Sequence, residues 1–318
     1  MIRFLLRTSL LFFVAAGCRD GSPGGPAATS TASSTYEGRL PSPESFAAQY
    51  PAFDSYWYQG RAELTRYALR QARYGDQHDG EAVLVFVTED FLPGRQVKQE
   101  HGDSPNGISV LKLNAYRRFY TGIYPYTLMT SSFTPALAPR GPTLKLSSTI
   151  QEWCGNVYTQ INRRDDGLHA ILHSYFQDDA DQKTTLPIAR LEDGIWAQIR
   201  IDPSAIPVGK QELIPGLDYI RMRHKALRAY PAEVIRRSEV ETDLIDHPVA
   251  AVEVKFPALG RDLTIYYEPK FPYVIQAWEE NVGPQRTTAV RSRAIIDDYW
   301  NHHAASDNWY RDELGLTH

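Results

Sequence analysis

Across residues 61–295, hydrophobic side chains recur at every second position in segment after segment, and turn residues cut the segments short. Period two is the repeat of an extended strand with one face turned to a core, so a chain that keeps returning to it is built to pair into sheet. Residues 81–91 (EAVLVFVTEDF) set Val83, Val85 and Val87 on one face and Leu84 and Phe86 on the other. Residues 108–119 alternate Val110, Lys112 and Asn114 against Leu111, Leu113 and Ala115. Segments 143–161, 168–177, 195–201, 217–230, 249–256, 263–267, 273–280 and 287–295 read as further strands. Segment 61–74 reads as the first arm of a hairpin, although Leu64, Tyr67, Ala68 and Gln71 also fit helical spacing. Helices are predicted to be short. One starts at Ser42-Pro43-Glu44, and one closes the chain between Ser306 as cap and Gly315 as stop. About ten strands in a meander, with no alternation of strand and helix, predict a mainly β fold: a curved antiparallel sheet forming an open or half barrel. No internal repeat and no second linker is visible, so residues 44–318 read as one domain.

The first 43 residues follow different rules. Arg3 and Arg7 precede an apolar run, residues 9–16 (SLLFFVAA), that is too short to span a bilayer. It ends in Val14-Ala15-Ala16-Gly17-Cys18, where small residues lead to a cysteine. This arrangement predicts a lipoprotein signal peptide over residues 1–17, cleavage before Cys18, and diacylglycerol carried on the Cys18 thiol. Residues 18–43 are rich in Gly, Pro, Ser, Thr and Ala, a composition that cannot offset the entropy of ordering and reads as a flexible tether. Arg19 follows the cysteine, with Asp20 one place later. Under the enterobacterial sorting rule, in which Asp directly after the cysteine retains a lipoprotein at the inner membrane, the expected address is the outer membrane. Once Cys18 is acylated, Cys154 is the remaining cysteine, so an intramolecular disulfide is excluded.

The formal net charge of −4 is mild, and the domain contains no Lys/Arg run longer than two, which argues against a nucleic-acid partner. The chain lacks G-x-S-x-G, a Gly-rich phosphate loop, H-E-x-x-H and C-x-x-C pairs, so no motif points to a reaction or a cofactor. His169 and His173 share one strand face but stand roughly 13 Å apart, too far for a common metal ion. His302-His303 likewise offers no metal pair. Asp178-Asp179-Ala180-Asp181 reads as a solvated turn, and Glu89-Asp90 as a solvated strand end. Cys154, in Gln151-Glu152-Trp153-Cys154-Gly155, reads as a small core residue beside a close backbone approach. A non-enzymatic binding or scaffolding role is therefore the leading expectation, against an envelope hydrolase or transferase using carboxylates or Cys154. The candidate binding residues are Tyr116, Phe119, Tyr120, Tyr124, Tyr126 and Phe133, an aromatic belt that would give a curved sheet an apolar concave face for an apolar or lipid ligand.

Several strings carry a resemblance: residues 56–63 (YWYQGRAE), 71–75 (QARYG), 85–91 (VFVTEDF), 121–126 (TGIYPY), 150–155 (IQEWCG), 173–176 (HSYF) and 313–316 (ELGL). On these the chain resembles a family of uncharacterised bacterial lipoproteins, known mainly from Bacteroidetes and sometimes labelled septum formation inhibitor Maf. The cytoplasmic nucleotide pyrophosphatases that properly bear that label carry an N-terminal S-x-S-P-R-R motif, which this sequence lacks. The long antiparallel strands are more distantly similar to the half-barrels of the lipoprotein carriers LolA and LolB, an analogy of fold alone. If the leader is read correctly, the protein incorporates radiolabelled palmitate and the Cys18→Ala variant does not. Unlabelled protein in the soluble fraction would refute lipidation.

Overall fold

The structure is a computed structural model that describes residues 51–101, 106–138 and 140–316. The signal peptide, Cys18, the tether and the helix expected at Ser42 lie outside the described residues. The chain enters through helix α1 (Pro51–Trp57) and continues as β1 (Ala62–Arg73), β2 (Asp76–Leu92), β3 (Val97–Lys98), β4 (Ile108–Thr121) and β5 (Tyr124–Pro135). Strands β6 (Lys145–Glu152), β7 (Gly155–Arg164), β8 (Gly167–Ser174), β9 (Gln182–Leu186) and β10 (Arg190–Leu191) precede helix α2 (Ile195–Ile201). Then come β11 (Gly209–Ile214), helix α3 (Leu217–Met222), β12 (Tyr230–Thr242), β13 (Ile245–Phe256), β14 (Arg261–Tyr267), β15 (Ile275–Val282) and β16 (Gln285–Asp297), and helix α4 (Trp309–Leu314) closes the chain.

All sixteen strands belong to one sheet, in the order β10-β11-β12-β13-β14-β15-β16-β1-β2-β4-β5-β6-β7-β8-β9, with β3 attached to β2. The pairing is antiparallel except for β10 with β11. The expected curved sheet is present, with sixteen strands in place of about ten: a two-residue turn divides segment 143–161 into β6 and β7, and β3, β5, β9, β10, β11 and most of β12 lie in stretches not read as strands. The first and last strands pair in the middle of the sheet, from Ala62 opposite Asp297 to Arg70 opposite Thr288. The sheet's two edges, β9 and β10, are consecutive in sequence. Only residues 187–189 join them, so four Cα steps of about 3.5 Å hold the edges within about 14 Å of each other. The sheet therefore curls into an unclosed barrel with a seam between β9 and β10. Tight hairpins enforce the curl. Between Arg73 and Asp76, Tyr74 and Gly75 both have positive φ (54° and 90°), the geometry of a two-residue turn that matches strand twist.

Strand β1 shows how sequence selects the faces. Glu63, Thr65, Tyr67, Leu69, Gln71 and Arg73 all point inward and are buried, while Ala68 and Arg70 between them are exposed. The outer face of its first turn is also covered: Leu314 of α4 packs on Ala62, Leu64 and Val87. Helix α4 ends at Gly315 in the left-handed region, as the sequence predicted.

Two segments expected to be strands are helices. Residues 195–201 (IWAQIRI) alternate at period two, yet they form α2, whose seven residues are all buried inside the barrel. A helix enclosed on every side is apolar all round, so periodicity carries no information about its type. Residues 217–222 form α3 and the following residues a loop, so only Tyr230 of that expected strand enters the sheet. Trp196 of α2 meets Trp278 edge-on at 5.2 Å, and Trp278 packs on Tyr67 at 4.7 Å. The main core joins this helix to both halves of the sheet.

Two buried ion pairs lock α2 to the wall. Arg200, fully buried, donates from Nη1 and Nη2 to the two oxygens of Glu63 at 2.6 and 2.7 Å, and from Nε to the Pro272 carbonyl at 2.9 Å. Glu63 also accepts from the hydroxyls of Tyr56 and Thr65, so its lone pairs are well occupied. On the other side, Arg261 of β14 donates to both oxygens of Glu192, just before α2, at 2.6 and 2.7 Å, and to Glu280 at 2.5 Å. Burial alone would raise the Glu63 carboxyl, but the Arg200 guanidinium overrides it and holds the pKa at about 2. Because the folded value lies below the ordinary 4.5, the stabilisation is complete above pH 4.5 and is lost as the pH falls towards 2. Removing one partner of such a pair strands the other charge, so Glu63→Gln is expected to cost about 3–5 kcal/mol at pH 7. In urea unfolding, the gap between wild type and variant is expected to close as the pH drops from 4.5 to 2; a gap that does not change with pH would contradict the pairing.

Candidate functional site

The barrel interior is largely filled. A cavity of about 30 Å³ remains between α2 and the wall, bordered by Ser132, Trp278, Trp196, Arg117, Asp193 and Asp218. Carboxylates crowd its floor. A methyl group built on Gly216 would lie 2.9 Å from Asp218, 3.0 Å from Glu192 and 3.3 Å from Asp193, so all three carboxylates converge on this backbone. Asp218 pairs with Arg117 at 2.9 Å, and Asp193 accepts from the Leu217 amide at 3.0 Å. Burial, then the neighbouring Asp218 and Glu192 charges, push the Asp193 carboxyl well above the usual range. Ser132 Oγ and Trp278 Nε1 are buried without a protein partner. A space of this size and polarity accommodates about one water molecule and excludes a substrate.

A second concavity, more enclosed than the open hollow of about 380 Å³ beside Asp202, Arg236 and Tyr267, lies at the seam. A pocket of about 330 Å³ opens between α3 with its following loop and the inner face of β7 and β8. Val157, Leu172, Leu217, Ile220 and Leu227 form its apolar wall, and Arg221 stands at its polar end. This is the lower part of the range for small-molecule sites, roughly 300–1,000 Å³. The seam itself creates the hollow. Where the ladder stops, α3 covers the gap, and Leu217 and Ile220 pack with Leu146, Ile161, Leu168 and Ala170 from the far edge.

A chain of polar contacts runs under this pocket. Tyr124 donates to Glu152 at 3.2 Å, and Glu152 accepts from Arg221 Nη2. Arg221 Nη1 lies 3.3 Å from His224 Nε2, and His224 Nδ1 lies 3.0 Å from Asp179. The guanidinium lies over the Phe176 ring at 4.0 Å, and His224 holds a left-handed backbone (φ 47°) to reach its place. Arg221 is 5% exposed, and its Nε has no partner. Arg221 lines the pocket and keeps one buried donor unpaired. Sequence reading missed it because it sits in a segment taken for a strand.

The six residues of the aromatic belt separate by strand parity. Phe119 and Tyr126 face inward and stack at 4.7 Å with rings 2° from parallel, and Tyr124 joins them at 5.2 Å. Tyr116, Tyr120 and Phe133 occupy the alternate register; Tyr120 is exposed, and Phe133 stacks on Phe91 in a separate cluster. The sheet therefore does not gather the six on one surface. Cys154 departs from expectation more sharply. It is exposed, not a core residue, because Trp153 and Cys154 are the two turn residues between β6 and β7. His169 and His173 lie on β8, where they meet Asp166 and Asp181 separately. Asp179 and Asp181 of the acidic turn are engaged by His224 and His173. Near the C-terminus Asp297, Asp298 and His302 bring ligand atoms within 4.8 Å of one another, but His302 already binds Asp297 at 2.8 Å and Asn301 binds Asp298 at 2.7 Å.

No family model and no curated protein matches the sequence. Among solved structures, the chain is similar to a β-barrel-like protein of the domain of unknown function DUF1849 from Brucella abortus. The TM-score is 0.46 at 9% sequence identity, over 74% of this chain and 98% of that one. The position of Cys154 is open to direct measurement. With Cys18 acylated or replaced, one equivalent of thiol is expected to react with a chromogenic disulfide reagent in the native protein; reaction only after denaturation would place the side chain in the core.

Proposed function

We propose that the protein is a lipid-anchored component of the bacterial cell envelope that binds a small amphipathic molecule in the seam pocket, without chemical turnover. The observation that carries the reading is a 330 Å³ hollow with an apolar wall and a buried, unpartnered Arg221 Nε at its end. An unpaired N–H in that position costs free energy until an acceptor arrives, and a ligand acceptor removes the cost. A carboxylate fits best, because the donor belongs to a cation and Lys225 stands beside it. The hollow is sized for a single chain or a compact ring system, not for a two-chain lipid. The opposing reading, an envelope hydrolase working through carboxylates, draws on Asp193 and Asp218, but their cavity holds about 30 Å³ and cannot admit envelope polymers.

The anchor and address rest on the sequence: the basic and apolar leader, Cys18, and Arg19 in the sorting position. Residues 18–43 read from their composition as a tether, and a flexible run of about that length has a root-mean-square reach of roughly 25–30 Å, enough to clear lipid headgroups. In a double-membraned host the expected site is the outer membrane.

Binding is tested with a fluorescent single-chain fatty acid and unlabelled competitors. The wild type is expected to bind it with saturable displacement. Leu172→Trp, which fills the pocket, is expected to weaken binding at least tenfold. Arg221→Lys keeps the charge but loses the Nε donor, so it is expected to weaken carboxylate binding more than binding of the matching alcohol. Absence of saturable binding by the wild type, or equal binding by Leu172→Trp, would refute the pocket.

A further inference from the structure

Four of the hairpin and strand connections lie at the same end of the barrel: β1 to β2, β4 to β5, β6 to β7, and β8 to β9. Each carries a large hydrophobic residue pointing into solvent: Tyr74 at 68%, Ile123 at 81%, Trp153 at 64% and Tyr175 at 78% exposure. These are the four most exposed large hydrophobic side chains among the described residues. Their placement is not forced by packing, since turns at these positions accept polar residues at no cost in core burial. Successive tips are two strand spacings apart, on the order of 10 Å, so they form a curved row roughly 30 Å long. Neighbouring contacts keep the row in order: Tyr175 lies across Gly155, Trp153 packs on Tyr124 at 5.7 Å, and Tyr74 hydrogen-bonds Tyr126 at 2.8 Å.

We propose that this rim is a membrane-docking surface, seated at the headgroup level of a phospholipid bilayer. Three of the four tips are Tyr or Trp, whose rings combine an apolar body with a polar end and suit the boundary between headgroup and acyl chain. A row of separate tips inserts into a fluid interface one side chain at a time, whereas a protein partner would need a matching curved groove. Charge at this end is mixed, with Asp76, Asp178 and Asp181 near the tips and Arg223, Lys225 and Arg228 in the loop after α3, so the apolar tips carry the docking and a zwitterionic surface tests them alone. The seam pocket supplies the second argument. It is bordered by Asp178 and Asp179, next to Tyr175, and by Arg221 and His224 at the same end of the barrel. A docked rim places the pocket mouth at the bilayer surface, so an amphipathic ligand passes between lipid and protein without crossing water.

Cys154 provides a reporter beside Trp153. In the full chain with Cys18→Ser, Cys154 is the sole thiol and takes an environment-sensitive fluorophore. On mixing with phosphatidylcholine vesicles, its emission is expected to shift to the blue and to be largely quenched by nitroxide placed on the lipid acyl chains. The same label at the opposite end, through Cys154→Ser with Asp165→Cys, is expected to stay in water. Replacing Ile123 and Trp153 together by Ser is expected to abolish the shift at Cys154. Leu172→Trp is expected to leave the shift intact, which separates docking from ligand binding. A label at Cys154 that remains aqueous, or equal responses from the two ends, would overturn the proposal.

Discussion

A barrel of this size depends on what fills it. Fifteen strands in a ring enclose more space than their own side chains occupy, and here α2 and its flanking turns take up the remainder. The Glu63–Arg200 and Glu192–Arg261 pairs decide how that filling sits. Hydrophobic burial would hold a fully apolar helix in the interior in many orientations. Two bidentate ion pairs of opposite sense, acid on the wall at one end and acid on the plug at the other, are satisfied together in one placement. The desolvation of four charges makes each pair a weak source of net stability, but mispairing would strand a charge in the core. The pairs therefore act chiefly on specificity, selecting a single seat for α2. Arg200 adds to this by lying over the Trp57 and Phe86 rings, at 5.0 and 4.8 Å.

From that seat the rest of the seam follows. Residues 187–189 deliver the chain from β9 to β10 and directly into the plug, so the point where the sheet fails to close is also the point where the interior is stoppered. Sheet edges invite unwanted pairing, and this fold keeps them short, with five residues in β9 and two in β10. Helix α3 then covers the opening imperfectly. Its Leu217 and Ile220 bridge the two edges, and the space left beside them is the pocket.

Much of this was legible in the sequence, and the failures have physical causes. The inward face of β4 follows from alternation alone, with Leu111, Leu113 and Ala115 set against Lys112 and Asn114; β2 is apolar on both faces, and alternation does not choose between them. The end of helix α4 is readable from Gly315, a local signal, but Ser306 is not its cap: it lies in a 3-10 turn, Ala305–Asn308, and Asn308 precedes the helix. The plug was not legible, because IWAQIRI is enclosed on all sides and its spacing fits a strand as well as a helix. Cys154 was misplaced because Trp153-Cys154 lacks turn chemistry of its own; the turn is set by Gly155 and by pairing of the flanking strands. The pairing of β1 with β16 joins residues 218 to 235 apart, from Arg70 with Thr288 to Ala62 with Asp297, which no window of sequence reveals.

The site was less legible than the fold for a related reason. The aromatic belt was chosen for composition, but parity in β4 and β5 divides it, leaving Phe119, Tyr124 and Tyr126 inside and the others outside. What connects the inner three to the pocket is Glu152, a polar residue with no sequence signal, which accepts from Tyr124 on one side and Arg221 on the other. Glu152 belongs to β6 and Arg221 to α3, so the connection exists only because the seam brings the last half-turn of one wall against the helix that covers it. The buried Glu63–Arg200 pair and the Glu152–Arg221 contact are thus of one kind, polar partners far apart in sequence that only the curled course of the sheet brings together.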